Sequence, residues 1–450
     1  MEQRSDAVTA AVSDLHGRTV SWFRLEGGKH RGAIGVAEGE ALERAVRVGI
    51  ELGMPVVGAV ATSGADVGEG VESLHAAGRV ARALSDASGV VPTLLAVVGP
   101  CVSGPALVLG LVDQVVMTSD AFAYVTGPET VTAFTGVPVS PVELGGAAVH
   151  DSRSGVASLV VDDDADALSG LATILDYLPS HHLEDPPRFV DADPIDRACT
   201  LAAEAVPGAS NASYDVRDVI GDVVDAGSVL ELRAHHAPNL VTSLARLGGR
   251  PVGVVANQPS QRAGTLDIDA SRKGARFVQW CDAFNVPLLT FVDTPGFEPG
   301  TDLEWRGMIR HGAQLVHAYA AATVPRLCVV LRKAYGGAYI VMDSKKLGND
   351  WCGAWPCAEI AVMGAAPAVQ ILHRKRLAAI EDEQARRAEQ FALEREYSDR
   401  FANPFPAAER GYVDAVIAPV DTRRALAAAL DRLATKQERP PSRRHSNSPL

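Results

Sequence analysis

Two turns in this chain could present bare backbone N–H groups to a ligand, and they are built alike. The apolar run Val324–Leu331 leads into Arg332-Lys333-Ala334-Tyr335-Gly336-Gly337-Ala338-Tyr339, and the earlier run Val91–Val98 leads into Gly99-Pro100-Cys101-Val102-Ser103-Gly104-Pro105-Ala106. Pro92 to Gly104 and Pro325 to Gly337 each span twelve residues. Upstream, Pro55 to Gly64 and Pro287 to Gly296 each span nine, and the strand prolines of the two segments are 37 and 38 residues apart. Four landmarks in register over two distant segments predict a duplicated unit. A glycine turn after a buried strand leaves N–H groups facing a crevice with no side chain in the way, and a helix starting there adds its positive end. That suits a carbonyl oxygen that gains negative charge during reaction. Tight packing of helix on strand is the plainer reading of one such turn; two copies in register favour anion stabilisation.

Other residue types offer less. Ser63 and Ser103 sit in the loops, but no histidine and carboxylate stand near them in sequence to activate a hydroxyl, and there is no nucleophile elbow or Walker loop. His311 and His317 fall on the polar face of a helical stretch; Asp293 and Asp302 suit the capping of turns and helix starts. Of six cysteines, Cys101, Cys199, Cys281, Cys328, Cys352 and Cys357, only the last two are close together, and no second pair completes a metal site, so buried reduced thiols are expected and no metal.

The elements that must position these turns alternate. Strands near Val20–Leu25, Pro55–Ala61 and Pro92–Val98 are separated by helices near Gly39–Leu52 and Val71–Asp86. The second copy reads as a strand Arg250–Ala256, helix Ala270–Phe284, strand Pro287–Asp293, helix Leu303–Ala321 and strand Arg326–Leu331. Such alternation, with strands apolar on both faces, predicts parallel βαβ units in an α/β fold. Residues 1–18 read as a frayed leader. Breakers concentrate over 180–215, which reads as a linker, giving an N-terminal domain over 1–195 and a C-terminal domain over 210–435. A charged helical stretch from Arg374 to Tyr397 and a last helix over Thr422–Ala434 precede a tail, 436–450, expected to be disordered.

The 450 residues, 47% hydrophobic and 22% charged, suit two globular domains. A net charge of −13 argues against nucleic acid or an anionic membrane as partner. Without a signal peptide or a long apolar run, a cytoplasmic location is expected.

Several segments together resemble the carboxyltransferase (beta) subunits of biotin-dependent acyl-CoA carboxylases, the acetyl-/propionyl-CoA carboxylase family. They are Val254-Val255-Ala256-Asn257-Gln258-Pro259, Cys281–Pro287, Phe291-Val292-Asp293-Thr294-Pro295-Gly296-Phe297, Arg332–Tyr339, Ala354-Trp355-Pro356 and Glu359–Gly364, with Gly127-Pro128, Glu143–Ala147 and Ser154–Ala157 in the first half. The resemblance implies two tandem crotonase-like (ClpP/crotonase) domains, a ring-like homo-hexamer, and active sites shared between subunits. It implies carboxyl transfer from carboxybiotin to the α-carbon of a short-chain acyl-CoA through an acyl enolate, with a malonyl- or methylmalonyl-CoA type product. Two oxygens gain charge in that chemistry, hence two glycine loops. By resemblance, Gly337 and Ala338 hold the biotin oxygen and Gly104 the thioester oxygen. Gly296, Phe297, Tyr335 and Gly336 bind biotin, and Gly64, Ala65, Ser103 and Ile340 bind acyl-CoA, with Ile340 shaping the acyl pocket. No Ala-Met-Lys-Met biotinylation motif or ATP-grasp signature is present, so biotin is expected on a separate carrier, and the partner is the biotin carboxylase/biotin carrier (alpha) subunit.

The N-terminal loops depart from the family. Its Ser-Gly-Gly-Ala-Arg-Ile-Gln-Glu-Gly reads here Thr62-Ser63-Gly64-Ala65-Asp66-Val67-Gly68-Glu69-Gly70, and its Gly-Pro-Cys-Ala-Gly-Gly-Ala reads Gly99-Pro100-Cys101-Val102-Ser103-Gly104-Pro105. Pro105 has no N–H to donate where the sibling loop has Ala338. Asp66 puts a negative charge in place of an arginine. The helical leader that the resemblance implies ahead of the first strand is not seen. A competing reading is therefore a non-catalytic structural paralogue or a carboxyacyl-thioester decarboxylase.

Overall fold

Strands that are apolar on both faces need helices above and below them, and each half of the chain meets this need in the same way. The computed structural model describes residues 3–28, 30–190, 193–209, 212–442, 444–447 and 449. It divides into two units, Met1–Pro187 with Leu232–His236 and Ala283–Val286, and Arg188–Glu231 with Ala237–Asp282 and Pro287–Leu450.

In the first unit β1 (Val8–Leu15) and β2 (Arg18–Leu25) form an antiparallel hairpin. Helix α1 (Val36–Leu52), β3 (Val56–Thr62), α2 (Val71–Ala87), β4 (Thr93–Val102), β5 (Gln114–Thr118), β6 (Phe122–Tyr124) and β7 (Leu159–Val161) follow. The sheet runs β1-β2-β3-β4-β5-β7, parallel from β2 onward, with β6 paired to β4. Helix α1 buries Leu42, Ala45, Val46 and Gly49, one stripe at helical spacing. Gly49 is there for packing: a Cβ would lie 2.4 Å from a Val56 methyl carbon. The helix ends on Gly53 at φ 61°, the left-handed cap that glycine adopts without strain.

The second unit repeats the plan. Strands β8 (Leu240–Leu247) and β9 (Arg250–Asn257) form the hairpin. Then come α3 (Ile268–Ala283), β10 (Leu288–Thr294), α4 (Met308–Ala321), β11 (Arg326–Tyr335), α5 (Gly336–Val341), β12 (Trp351–Ala354), β13 (Glu359–Ala361), α6 (Glu383–Phe401), β14 (Ala415–Val416) and α7 (Thr422–Arg432). Its order is β8-β9-β10-β11-β12-β14, with β13 paired to β11. Every strand thus has a counterpart at the same sheet position, and β3 corresponds to β10. The irregularities match as well: the β3–β4 register slips between Val60 and Thr62, so that Thr62 faces Cys101, and the β10–β11 register slips between Val292 and Thr294, so that Thr294 faces Ala334. Each unit has its own apolar core, around Val46, Leu84, Leu95 and Met117 in the first and Val219, Phe291, Val329 and Trp355 in the second. Burying each such side chain stabilises the unit by about 1.5–3 kcal/mol.

Three expectations are corrected. Residues 8–15 are no frayed leader but the first full strand, turned back by His16 (φ 50°) and Gly17 (φ 83°), with Val8 and Ala10 buried. The helix expected over Leu303–Ala321 is split by Gly307 at φ 92° into Thr301–Trp305 and α4. Part of the expected linker packs within the second unit: Cys199, Ala202 and Tyr214 belong to its core, and Arg197 is paired with Asp193 and Asp222. Residues 191, 192, 210 and 211 of that stretch lie outside the described ones. Likewise, residues 443, 448 and 450 of the tail are not described; Lys436 at its start is tied to Asp350.

Candidate active site

Strands β3 and β10 each end on a threonine, and that threonine locks the glycine turn that follows. Thr62 Oγ1 accepts from the Gly64 N–H at 3.0 Å, and Thr294 Oγ1 accepts from the Gly296 N–H at 3.3 Å. Gly64 (φ 107°) and Gly296 (φ 145°) adopt backbone that side-chain-bearing residues avoid. Each turn is pinned a second time by a one-residue parallel bridge, Ile34 to Ala65 and Leu266 to Phe297. The loops that carry these bridges hold glycines for close approach. A Cβ at Gly32 would lie 2.2 Å from the Ala61 carbonyl oxygen, and one at Gly264 would lie 2.5 Å from that of Asp293. His30 pairs with Asp66 at 2.9 Å in the first unit, and Arg262 pairs with Glu298 at 2.9 Å at the corresponding place in the second. Asp66, the negative charge standing where the family has an arginine, is held by His30, and its carboxyl sits below its ordinary pKa because of that bond and the Gly68 N–H.

In the second unit the structure brings Gly296, Phe297 and Gly337 together. A Cβ on Gly337 would stand 3.3 Å from the Phe297 ring, which also packs on Gly312. Gly336 turns the chain at φ 56°, and α5 starts on it, so the N–H groups of Gly337 and Ala338 fall in a first turn where no intrahelical acceptor exists. Gly337 is exposed and Ala338 fully buried. Tyr335 ends the strand with its hydroxyl on Glu359; burial, then Glu359, raise the pKa of this phenol. Ile340 projects from α5 half-exposed, at 52%.

In the first unit the corresponding residues are Ser103 at φ 66°, Gly104, Pro105 and Leu107. Gly104 is open, with nothing within 4 Å of where a Cβ would be. Gly64 and Ser103 meet: a Cβ on Gly64 would lie 3.1 Å from the Ser103 Cβ. Pro105 is buried and follows Cys101, whose thiol pKa burial pushes up to about 12. Ser63 is no nucleophile, since its hydroxyl donates to the His30 carbonyl at 2.6 Å.

One feature of the second unit was not expected. Asp293 neither caps a turn nor faces solvent. It forms a buried ion pair with Arg332 at 3.0 Å and accepts from the Lys333 N–H, while Arg332 also donates to the carbonyls of Ala209 and Ala212. Burial, opposed by Arg332, raises the Asp293 pKa. Both residues sit in the register slip just before the Gly336 turn, where the first unit has Ala61 and Gly99. Asp302 is exposed and paired with Arg306, and Cys357 is exposed rather than buried. Among the described residues no group of three or more His, Cys, Asp or Glu is placed to hold a metal ion, and no helix is long and apolar enough to cross a membrane.

Residues 1–448 match the carboxyl transferase domain family. The chain is 46% identical over 446 residues to the propionyl-CoA carboxylase carboxyltransferase subunit of Haloferax mediterranei, covering 99% of this chain and 86% of that one. It is 39% identical to the methylmalonyl-CoA decarboxylase subunit alpha of Veillonella parvula, covering 100% and 86%. In fold it matches the crystal structure of transcarboxylase 12S, a hexamer assembly with hydrolysed methylmalonyl-coenzyme A bound, with a TM-score of 0.95 at 41% identity over 99% of this chain and 85% of that one.

Proposed function

The chain belongs to the carboxyl transferase domain family, and from that premise we propose that it moves a carboxyl group from carboxybiotin to the α-carbon of a short-chain acyl-CoA of the propionyl-CoA type. The observation that carries this reading is the pair of glycine loops at the same position in two like sheets, each placing an exposed glycine, Gly104 in one and Gly337 in the other, just past a buried strand. The reaction needs one such loop per charged oxygen. When bound, carboxybiotin supplies the CO2 and the base that takes the α-proton.

This chain's own part is to bind, orient and stabilise. The Gly337 and Ala338 N–H groups donate to the ureido oxygen. A flat ring fits there: Gly337 has no side chain, and the Phe297 ring borders the same space. The Gly104 N–H donates to the thioester oxygen, whose charge grows as the α-proton leaves, and Gly64 and Ala65 border the acyl-CoA. The thioester oxygen needs its donors preorganised, which the Thr62 lock and the Ile34 bridge supply through the neighbouring turn. Ile340 and Leu107, large apolar groups left exposed, fit coverage by a second copy of the chain, and a homo-hexamer working with a separate biotin carboxylase/carrier subunit in the cytoplasm completes the proposal.

The test is fixation of labelled bicarbonate with a competent biotin carboxylase and carrier, offering acetyl-, propionyl- and butyryl-CoA. Acid-stable label in the carboxyacyl-CoA is expected, with propionyl-CoA preferred. Folded protein and verified carboxybiotin without labelled product overturn it.

A further inference from the structure

Over the three residues of the turn itself, two positions distinguish the first unit from its sibling, and they stand two residues apart. Cys101 and Ala334 occupy the same place in their sheets, so counting on from them sets Ser103 against Gly336, Gly104 against Gly337 and Pro105 against Ala338. Pro105 removes a donor from the hole. Ser103 brings one in.

Ser103 is held at φ 66° and ψ −154°, a conformation that costs a residue with a Cβ and that the sibling assigns to glycine at φ 56°. Strain of this kind persists where the surroundings impose it, and it collects at functional sites. The hydroxyl does not repay the strain locally: among the described residues it makes no hydrogen bond, and the side chain is exposed. Its backbone N–H is already used, donating to the Tyr124 carbonyl at 2.9 Å, which fixes the residue on β6. The side chain lies on the Gly64 side of the loop, with Oγ 3.8 Å from where a Gly64 Cβ would be, and it lines a groove with Val102, Tyr124, Val125, Thr126 and Gly127.

We infer that the Ser103 hydroxyl is the second donor of the acyl-side oxyanion hole, replacing the N–H lost at Pro105, so that the hole is built from one backbone N–H and one side-chain O–H. The inference rests on the carboxyltransferase reading and adds a catalytic residue to it. Ser103 keeps its proton and forms no covalent bond; its O–H donates to the thioester oxygen as that oxygen becomes an enolate, alongside the Gly104 N–H. A hydroxyl serves because an oxyanion requires a directed donor and does not distinguish O–H from N–H.

The experiment compares the full-length protein with Ser103→Gly, Ser103→Ala, Pro105→Ala and Ser103→Gly/Pro105→Ala, reading kcat and KM for carboxyl transfer, the urea midpoint, and the affinity for a CoA analogue whose nitronate group mimics the enolate. Ser103→Gly should lower kcat about 100-fold or more, leave the KM for acyl-CoA nearly unchanged, and raise the urea midpoint by relieving strain. Ser103→Ala should lose the same activity without gaining stability. Pro105→Ala should restore turnover in the Ser103→Gly background. Unchanged or faster transfer by both Ser103→Gly and Ser103→Ala, with an active wild type, overturns the inference and leaves the carboxyltransferase reading intact. An inactive wild type overturns that reading, and the analogue then decides the donor role: about 100-fold weaker nitronate binding by Ser103→Ala supports it, and equal binding refutes it.

Discussion

The buried pair Asp293–Arg332 lends itself to a quantitative prediction because the molecule contains its own control. Asp293 is 1% exposed and Arg332 4%, 3.0 Å apart, in the register slip ahead of the Gly336 turn. At the corresponding place the first unit has Ala61 and Gly99, a small apolar pair; a Cβ on Gly99 would lie 3.2 Å from the Ala61 Cβ. Arg332→Met leaves a buried carboxylate supported by the Lys333 N–H and the neighbouring Tyr214 hydroxyl but with its buried counter-charge gone, and should cost about 3–5 kcal/mol. Asp293→Ala should cost less, about 1–3 kcal/mol, because Arg332 retains the Ala209 and Ala212 carbonyls. The double substitution gives the second unit the uncharged solution already present in the first, so its cost should fall below that of Arg332→Met alone, with a coupling of about 2–3 kcal/mol. Urea unfolding of all four proteins measures the cycle. Additivity within about 0.5 kcal/mol would refute the claim that the two charges are retained as a unit.

Three other outcomes are expected. Gly104→Ala meets open space and should leave folding intact or gain about 0.4–1 kcal/mol from the unfolded chain, while blocking acyl-CoA transfer; Gly337→Ala must push Phe297 aside and should impair the biotin half-reaction, and separate half-reaction assays check whether each defect stays on its own side. Burial, against the pull of Arg326 and Asn349, raises the Asp343 carboxyl to about 6. Since the folded value lies above the unfolded one of 3.8, its contribution is fully present below about pH 4 and is lost as pH rises through about 6, a swing of about 3 kcal/mol; stability curves of wild type and Asp343→Asn that run parallel over this window would be evidence against it. Ile340→Asp should shift preference away from hydrocarbon acyl groups, and unchanged ratios among acetyl-, propionyl- and butyryl-CoA would exclude Ile340 from the acyl pocket.

The glycine turns were legible because their spacing survives in both copies and because the strands before them are continuous apolar runs. The hairpins were not, since neither Val8–Leu15 nor Leu240–Leu247 was expected as a strand. Strand β1 reads Val-Thr-Ala-Ala-Val-Ser-Asp-Leu, whose inward Ala10 carries little hydrophobic signal, and its turn is the pair His16-Gly17, weaker as a cue than the Gly248-Gly249 that turns the second hairpin. The break at Gly307 was hidden by helical periodicity that continues on either side of it. The Asp293–Arg332 pair was beyond reach for another reason: it depends on a two-residue register slip between neighbouring strands, which no local pattern records. The same holds for the opposition of Asp66 and His30, 36 residues apart.

Gly32 and Gly264 have a consequence for how the kinship of the two halves should be sought. At both, a carbonyl oxygen of the adjacent strand occupies the space that any side chain would need, so a scan of all substitutions should find the two positions equally intolerant even though their neighbours share almost no residue identities. Backbone touching backbone cannot drift as side chains do, because no second substitution can move a main-chain oxygen out of the way. The ancestry of the repeat is therefore preserved in main-chain contacts, and an alignment scored on residue identity will place the duplication further in the past than one scored on where a Cβ is forbidden.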